Sequence, residues 1–212
     1  MLGLFIEIYR TRRNGDATPK TRRAYAAMEP LLAQMYPATF EYRRIHFSQL
    51  TGATFPSGGE FFTVGGLASP GVKAVAEVGS HALLEKELGA ANYLSVASSA
   101  GGAFNPWKNE ITVEADADHS YLGLITMIAP SPDWFTGASA IELYDAAAGT
   151  WKDTITYEAR AYDAGTDAGA TFTAADAPEN PPKPVSVIAC DGKAFCDSGA
   201  IKPVAAIKIT KI

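Results

Sequence analysis

The sequence has no long hydrophobic run, and its net charge is not basic. Its longest nearly apolar stretch covers residues 121–130, far short of the roughly 20 residues that a membrane-spanning helix needs. The formal net charge is −5 and the isoelectric point is near 5.2, whereas proteins that bind nucleic-acid phosphates present a basic surface. We therefore expect neither a membrane-spanning helix nor a nucleic-acid partner.

Histidines are few, and the common catalytic motifs are missing. The three histidines, His46, His81 and His119, are scattered, and none has zinc-binding partners at short spacing. The sequence contains no Gly-x-Ser-x-Gly, His-Glu-x-x-His or phosphate-binding-loop motif. We expect a protein that is not an enzyme.

Only two cysteines are present, Cys190 and Cys196, and the segment between them contains Asp191-Gly192. This dipeptide is typical of tight turns, so it could bring the two thiols together. We expect a disulfide bond, which would add about 2–2.5 kcal/mol of stability and would favour an oxidising compartment. Two unrelated thiols are the alternative.

The start of the chain does not look like a secretion signal. Glu7 and Arg10 interrupt its apolar residues, and no small-residue cleavage site follows. We expect residues 4–9 to form a strand instead, because β-branched and aromatic side chains are frequent there. The length of 212 residues and the hydrophobic content of 47% fit one domain over residues 1–212.

Most of the remaining pattern is typical of short strands. Capping signals at Ser69-Pro70 and Gly79 predict a helix between them. The pattern as a whole predicts a mainly β fold, an antiparallel β-sandwich with short helices in the connections. The other predicted elements are helices at 20–35 and 81–88, turns at 52–59, strands at 61–64, 111–114, 121–128, 151–160 and 200–212, and a connection over 135–149.

Aspartates gather in two turn-rich segments. Asp133 follows the apolar 121–128 strand, and Asp163 and Asp167 follow the 151–160 strand. If these two strands are antiparallel neighbours, their exits lie at opposite ends, whereas a parallel pair or a crossover would bring both segments to one rim. Carboxylates about 5 Å apart repel each other, and oxygen ligands on flexible loops suit Ca²⁺. The alternative is that the aspartates only cap turns.

Three ordered motifs resemble those of the spondin domain. They are LASPGVKAVAEVGS at residues 67–80, IAPSPDW at 128–134 and YDAGTDAG at 162–169. The likeness extends from residue 4 to residue 212. On these motifs the chain is similar to the spondin domain family, the amino-proximal module of F-spondin and mindin that also occurs alone in microbial proteins.

The resemblance implies a C2-like β-sandwich with a Ca²⁺ site at one end. The family's ligand aspartates fall on Asp133, Asp163 and Asp167, and Trp134 would pack beside the site. Residues 18–36 look like a helical insertion relative to the animal members. No thrombospondin-type repeat accompanies the domain in this sequence, so the animal matrix functions do not carry over directly.

Together these features predict a non-enzymatic, secreted or extracellular Ca²⁺-binding module for adhesion or assembly. The ion would order the loops at one end of the sandwich for a protein or glycan partner. The alternative is a structural subunit of a surface layer, filament or particle, in which copies bind one another and Ca²⁺ only stabilises. Membrane binding is the least favoured function, because basic residues are missing near Asp133 and Asp167.

Overall fold

The structure is a computed structural model that describes residues 1–10, 46–100, 108–190, 195–197 and 199–212. The predicted helical insertion at residues 18–36 lies outside them. Within the described part, no helix is long and apolar enough to cross a membrane. Cys190 is disulfide-bonded; because the chain has only one other cysteine, this confirms the predicted bridge.

Strands are the main regular structure of the described chain, and two helices lie between the third and fourth strands. The helices are α1 (Pro70–Val78) and α2 (Ala82–Ala90). The strands are β1 (Leu2–Arg10), β2 (His46–Phe47), β3 (Thr51–Phe55), β4 (Ser95–Ser98), β5 (Lys108–Ala115), β6 (Tyr121–Ala129), β7 (Trp134–Glu142), β8 (Tyr144–Asp145), β9 (Thr150–Trp151), β10 (Thr154–Ala159), β11 (Ala161–Asp163), β12 (Ser186–Val187), β13 (Cys196–Asp197), β14 (Ala200–Ile201) and β15 (Ala205–Lys211).

The first sheet has four antiparallel strands in the order β10-β15-β1-β5. Leu4, Ile6 and Ile8 of β1 are buried, which is the period-two pattern of a strand with one face on a core. The strand predicted for this segment is therefore confirmed. The ladder between β1 and β15 reaches the end of the sheet, where the Ile212 N–H donates to the Gly3 carbonyl at 3.0 Å.

The second sheet has the order β12-β11-β7-β6-β3-β4, and β2 also pairs with β6. β6 is buried along nearly its whole length, as its continuous apolar sequence predicts. Leu124 of β6 packs in the core between the two sheets, whereas Ile125 packs on the opposite face with residues of the helices. The molecule therefore has three layers, and the predicted antiparallel β-sandwich is confirmed.

The helix pair begins at the predicted capping signal. The Ser69 side chain accepts a hydrogen bond from the Val72 N–H at 3.1 Å, and Gly79 ends α1 with a left-handed φ of 65°, which glycine adopts without strain. Glu87 of α2 accepts hydrogen bonds from Ser69 Oγ and from the Gly71 N–H, both at 2.7 Å. These bonds join the two helices, whose packing covers the outer face of the second sheet.

The turns predicted for residues 52–59 are wrong at their start, because β3 occupies residues up to Phe55. Gly52 serves close packing between the sheets rather than a turn. A Cβ at this position would lie 2.5 Å from Ile111 Cδ1 and 2.6 Å from Leu124 Cδ2. Glycine inside this strand leaves room for the ends of these two side chains, and the sequence pattern alone does not separate that use from a turn.

Other predicted strands do not form or are interrupted. Residues 61–64 bend instead of forming a strand, and their two phenylalanines are buried against the helix layer. The predicted strand at 151–160 is divided into the end of β9 and β10, and the strand at 200–212 is divided into β14 and β15. The second break contains Pro203, which has no N–H for a ladder.

The strand β7 is not expected from the sequence, which predicts a connection over residues 135–149. Its centre consists of Thr136, Gly137 and Ala138, and glycine and alanine carry little strand propensity. Gly137 allows β7 to approach β6, since a Cβ there would lie 1.9 Å from the Leu124 carbonyl oxygen. This missed strand decides the geometry of the acidic loops.

Candidate metal centre

The two acidic segments converge because β7 and β11 are antiparallel neighbours. Asp133 immediately precedes β7, and Asp163 is the last residue of β11, where the register places it opposite Trp134. The start of one strand therefore lies beside the end of the other. Convergence needs no parallel pair or crossover of the two predicted strands, because the partner of β11 is the unexpected strand β7.

Asp133 is fully buried and joins the two segments. Its Oδ2 atom accepts hydrogen bonds from the Thr166 N–H at 2.7 Å, from Thr166 Oγ1 at 3.3 Å and from the Asp167 N–H at 3.1 Å. The Asp133 carbonyl accepts a further bond from the Ala164 N–H at 3.1 Å. One side chain thus holds the turn after β11 against the segment before β7.

The other oxygen of Asp133 has no hydrogen-bond partner among the described residues. Oδ1 is buried and forms no hydrogen bond, although a buried polar atom left unpaired costs about 1–3 kcal/mol, and more when it is charged. Burial raises the pKa of Asp133 to about 6, against the lowering effect of the Thr166 N–H, and the charge of Asp163 raises it further. At neutral pH this oxygen therefore belongs to an ionised carboxylate and lacks a hydrogen-bond donor among the described residues.

Asp163 and Gly165 shape the turn beside it. Asp163 Oδ1 accepts a hydrogen bond from the Gly165 N–H at 2.9 Å. Gly165 has a φ of 73°, and a Cβ there would lie 2.1 Å from the Lys183 carbonyl oxygen, so this position requires glycine. The turn borders a groove of about 730 Å³, which is also lined by Asp167, Glu179 and Lys183.

Asp167 is buried, with 6% of its surface exposed. Its Oδ1 accepts a hydrogen bond from the Gly169 N–H at 2.7 Å, and its Oδ2 accepts one from the Ala177 N–H at 2.8 Å. Burial raises the pKa of Asp167, but these two bonds and one with Asp176 together hold it below its ordinary value. Asp167 is therefore ionised at neutral pH and ties down the loop that follows it.

The structure brings Asp133 and Asp163 into electrostatic contact and places Asp167 in the same turn. Among the described residues, however, no group of three or more His, Cys, Asp and Glu side chains is arranged to hold a metal ion. The metal site formed by all three aspartates therefore stays a prediction. What fits a cation best is the unpaired Oδ1 atom of Asp133.

Trp134 packs beside the site, as expected. It is 1% exposed, and its ring meets those of Phe172 and Phe195 edge-on, with centroid distances of 5.0 and 5.8 Å. Sequence reasoning missed Thr166, whose N–H and hydroxyl both bind Asp133. Its position inside the YDAGTDAG motif, between Asp163 and Asp167, was the available signal.

The fold and the site define a class of protein: an antiparallel β-sandwich backed by a helix pair, in which a buried aspartate joins two acidic turns. Comparison with known proteins names this class. A family model described as Spondin_N matches residues 30–195, and the chain belongs to this family.

The relatives are longer proteins. Spondin-1 from Gallus gallus is 30% identical over 190 residues, which cover 84% of this chain and 24% of that protein. Spondin-1 from Homo sapiens is also 30% identical over 190 residues, covering 84% and 23%. Spondin-2 from Rattus norvegicus is 30% identical over 132 residues, covering 60% and 39%. The chain thus spans about a quarter of the length of these Spondin-1 relatives.

Proposed function

We propose that this chain is a non-enzymatic, extracellular Ca²⁺-binding module for adhesion or assembly. The bound ion would join the segment before β7 to the turn after β11 and so order this edge of the second sheet for a partner. The observation that supports the proposal is the buried Oδ1 atom of Asp133, an anionic oxygen for which the described part of the chain supplies no hydrogen-bond donor. A cation would supply a counter-charge.

The donor set suits a hard divalent cation. Asp133, Asp163 and Asp167 offer carboxylate oxygens on turns, and backbone carbonyls and waters commonly complete the six to eight ligands of Ca²⁺. The hydrogen bonds that Asp167 accepts from Gly169 and Ala177 do not prevent this role, because each carboxylate oxygen has a second lone pair. Without a cation, the ionised aspartates of this turn repel one another.

One further feature supports an extracellular role. The disulfide at Cys190 is typical of oxidising compartments. Ordered loops lose less entropy when they bind, so the ion would strengthen binding of a protein or glycan surface without touching it.

The test is thermal unfolding in excess Ca²⁺ and in chelator, for the wild type and for Asp163→Asn. Binding at 100 times the dissociation constant adds about 2.7 kcal/mol, so we expect Ca²⁺ to raise the unfolding temperature of the wild type by roughly 5–10 °C. Asp163→Asn should lose this rise.

The matched control is Asp145→Asn. Asp145 also accepts backbone N–H groups in a turn, from Ala147 and Ala148, but it is the last residue of β8 and lies outside the site. Its variant should keep the full response to Ca²⁺. A wild-type protein whose unfolding temperature is the same in Ca²⁺ and in chelator would rule out the proposed ion.

A structural-subunit role is the second candidate function. It is favoured by the outer edge of β10 in the first sheet, which no strand among the described residues covers and which offers a contact between copies of the chain. In that role Ca²⁺ would stabilise each copy without taking part in the contact.

A further inference from the structure

Strand β10 forms an edge of the first sheet. It pairs with β15 on one side, and among the described residues no strand pairs with its other side. Unpaired strand edges present a row of backbone donors and acceptors, and proteins commonly block them.

The groups on the outer side of β10 can be identified from the ladder. The Lys211 N–H donates to the Asp153 carbonyl at 3.0 Å, so the odd-numbered positions make the hydrogen bonds to β15 in this register. Because bonded and non-bonded positions alternate along an antiparallel pair, the N–H and C=O groups of Thr154, Thr156 and Glu158 point away from β15.

Two other sheet edges are blocked by groups of the same chain. At β5, Thr54 Oγ1 donates to the Glu114 carbonyl at 2.6 Å. Beside β12, the Gly65 N–H donates to the Val185 carbonyl at 2.8 Å, and the Val185 N–H donates to the Gly66 carbonyl at 2.7 Å. The edge of β10 has no comparable bond from the described residues, and it is longer than β12.

The core-facing side of β10 is also incompletely covered. Ile155 and Tyr157 pack against the main core but are only partly buried. Their register partners on β15, Ile209 and Ile207, are 2% and 0% exposed. Apolar surface therefore continues to the edge of the sheet, beside the unpaired backbone groups.

We infer that β10 pairs with β10 of a second copy of this chain, antiparallel and centred on Thr156. The two four-stranded sheets would then form one continuous sheet across a twofold axis. This contact does not involve the acidic turns, so its tests are independent of those of the proposed Ca²⁺ site.

The sequence of β10 is compatible with itself in this register. Thr156 faces its own copy, and Thr154 faces Glu158, so like charges are not opposed within the strand. On the core-facing side Ile155 of one copy faces Tyr157 of the other, a β-branched and aromatic pair that stabilises sheets. The strand TITYEA contains none of the lysine or proline residues that block edges elsewhere.

Cysteine cross-linking tests both the contact and its register. Opposite residues in a hydrogen-bonded antiparallel pair have Cα atoms about 5.5 Å apart, within the reach of a disulfide. Oxidised Thr156→Cys should therefore give a covalent dimer on non-reducing gels. Thr154→Cys alone should give none, but a mixture of Thr154→Cys and Glu158→Cys chains should cross-link to each other.

Sedimentation equilibrium measures the same contact without oxidation. The wild type should approach the dimer mass as its concentration rises, and Thr156→Lys, which places two like charges opposite each other, should return it to the monomer mass. Thr112→Lys on the exposed face of β5 is the matched control and should leave the dimer intact; circular dichroism checks that each variant folds. A monomeric wild type, or equal cross-linking of Thr156→Cys and Thr154→Cys, would overturn the inference.

Discussion

At the scale of single residues, the two oxygens of Asp133 have different environments. Oδ2 accepts three hydrogen bonds from the 166–167 turn, whereas Oδ1 accepts none. The first oxygen holds two segments together, and the second makes the ionised side chain costly in the absence of a cation. Asp133 therefore stabilises the turn, while its ionised form is destabilised by its own surroundings.

The raised pKa of Asp133 sets the sign of its pH dependence. The folded protein binds this proton more tightly than the unfolded chain, because the pKa is about 6 rather than 3.8. Its contribution to stability is therefore complete below pH 3.8 and is lost as the pH rises through 6, a loss of about 3 kcal/mol. The variant Asp133→Asn has no carboxyl group at this position and should not show this loss. In chelator, its free energy of unfolding by urea should therefore rise more steeply with pH than that of the wild type. An unchanged slope would contradict the assignment.

His81 is the second buried titratable group, and its hydrogen bonds fix its tautomer. Ser98 Oγ donates to Glu85 at 2.6 Å, so Thr51 Oγ1 must donate to Ser98 across their 2.6 Å contact. The Nδ1–H of His81 then donates to Thr51 at 2.7 Å, and its Nε2 lies 3.1 Å from Ser48 Oγ. Neutral His81 thus connects helix α2 to the second sheet.

Its pH dependence has the opposite sign to that of Asp133. Burial lowers the pKa of His81 to about 4, against the raising effect of Glu85. Its contribution to stability is therefore present above pH 6.5 and is lost as the pH falls through 4, by about 3 kcal/mol. His81→Asn should weaken the protein at neutral pH and remove this acid-side loss in urea unfolding. A His81 variant with the wild-type slope would contradict the prediction.

At the scale of elements, the central pair β6 and β7 depends on contact between backbones. Gly137 lies opposite Ile125, next to the register shift between Leu122 and Leu124, and the Leu124 carbonyl occupies the place of its missing side chain. The Asp133 carboxylate is positioned at the start of the same strand. A change in the β6–β7 contact therefore reaches the acidic turns through β7.

Two glycine substitutions should have opposite effects. Gly137→Ala would place a Cβ 1.9 Å from the Leu124 carbonyl oxygen, so the strands must separate, and we expect a loss of about 2–4 kcal/mol in urea unfolding. Gly89→Ala in helix α2 meets no atom within 4 Å and should stabilise by up to about 1 kcal/mol, because alanine favours helices. Equal effects of the two substitutions on the free energy of unfolding would contradict the importance of the close approach of β6 and β7 at Gly137.

At the scale of the whole molecule, sequence patterns predicted the elements whose signals are local. The buried run of β6, the alternation of β1 and the capping of α1 by Ser69 and Gly79 all depend on neighbours along the chain. β7 was missed because its small residues meet a tertiary requirement, the close approach at Gly137. The sequence left undecided whether Asp133 and Asp163 converge, because their approach depends on the pairing of β7 with β11.

The candidate site also has local features that the sequence predicts and long-range features that it does not. The turn containing Asp163 and Gly165 could be predicted from the residues, because its chemistry is local. The bonds from Thr166 to Asp133 could not, since they connect residues 33 positions apart. Nor can a sequence tell which of two carboxylate oxygens lacks a donor, because that depends on the burial of the folded state.

The pairing of the first and last strands has a mechanical consequence. Leu4 lies opposite Lys211 and Arg10 lies opposite Ala205, so the two ends of the chain leave the sheet at the same place. Tension applied between them would break the hydrogen bonds between β1 and β15 one after another from that end. It would not load all of these bonds at once in shear. The domain should therefore unfold at a lower pulling force than a domain whose terminal strands are loaded in shear.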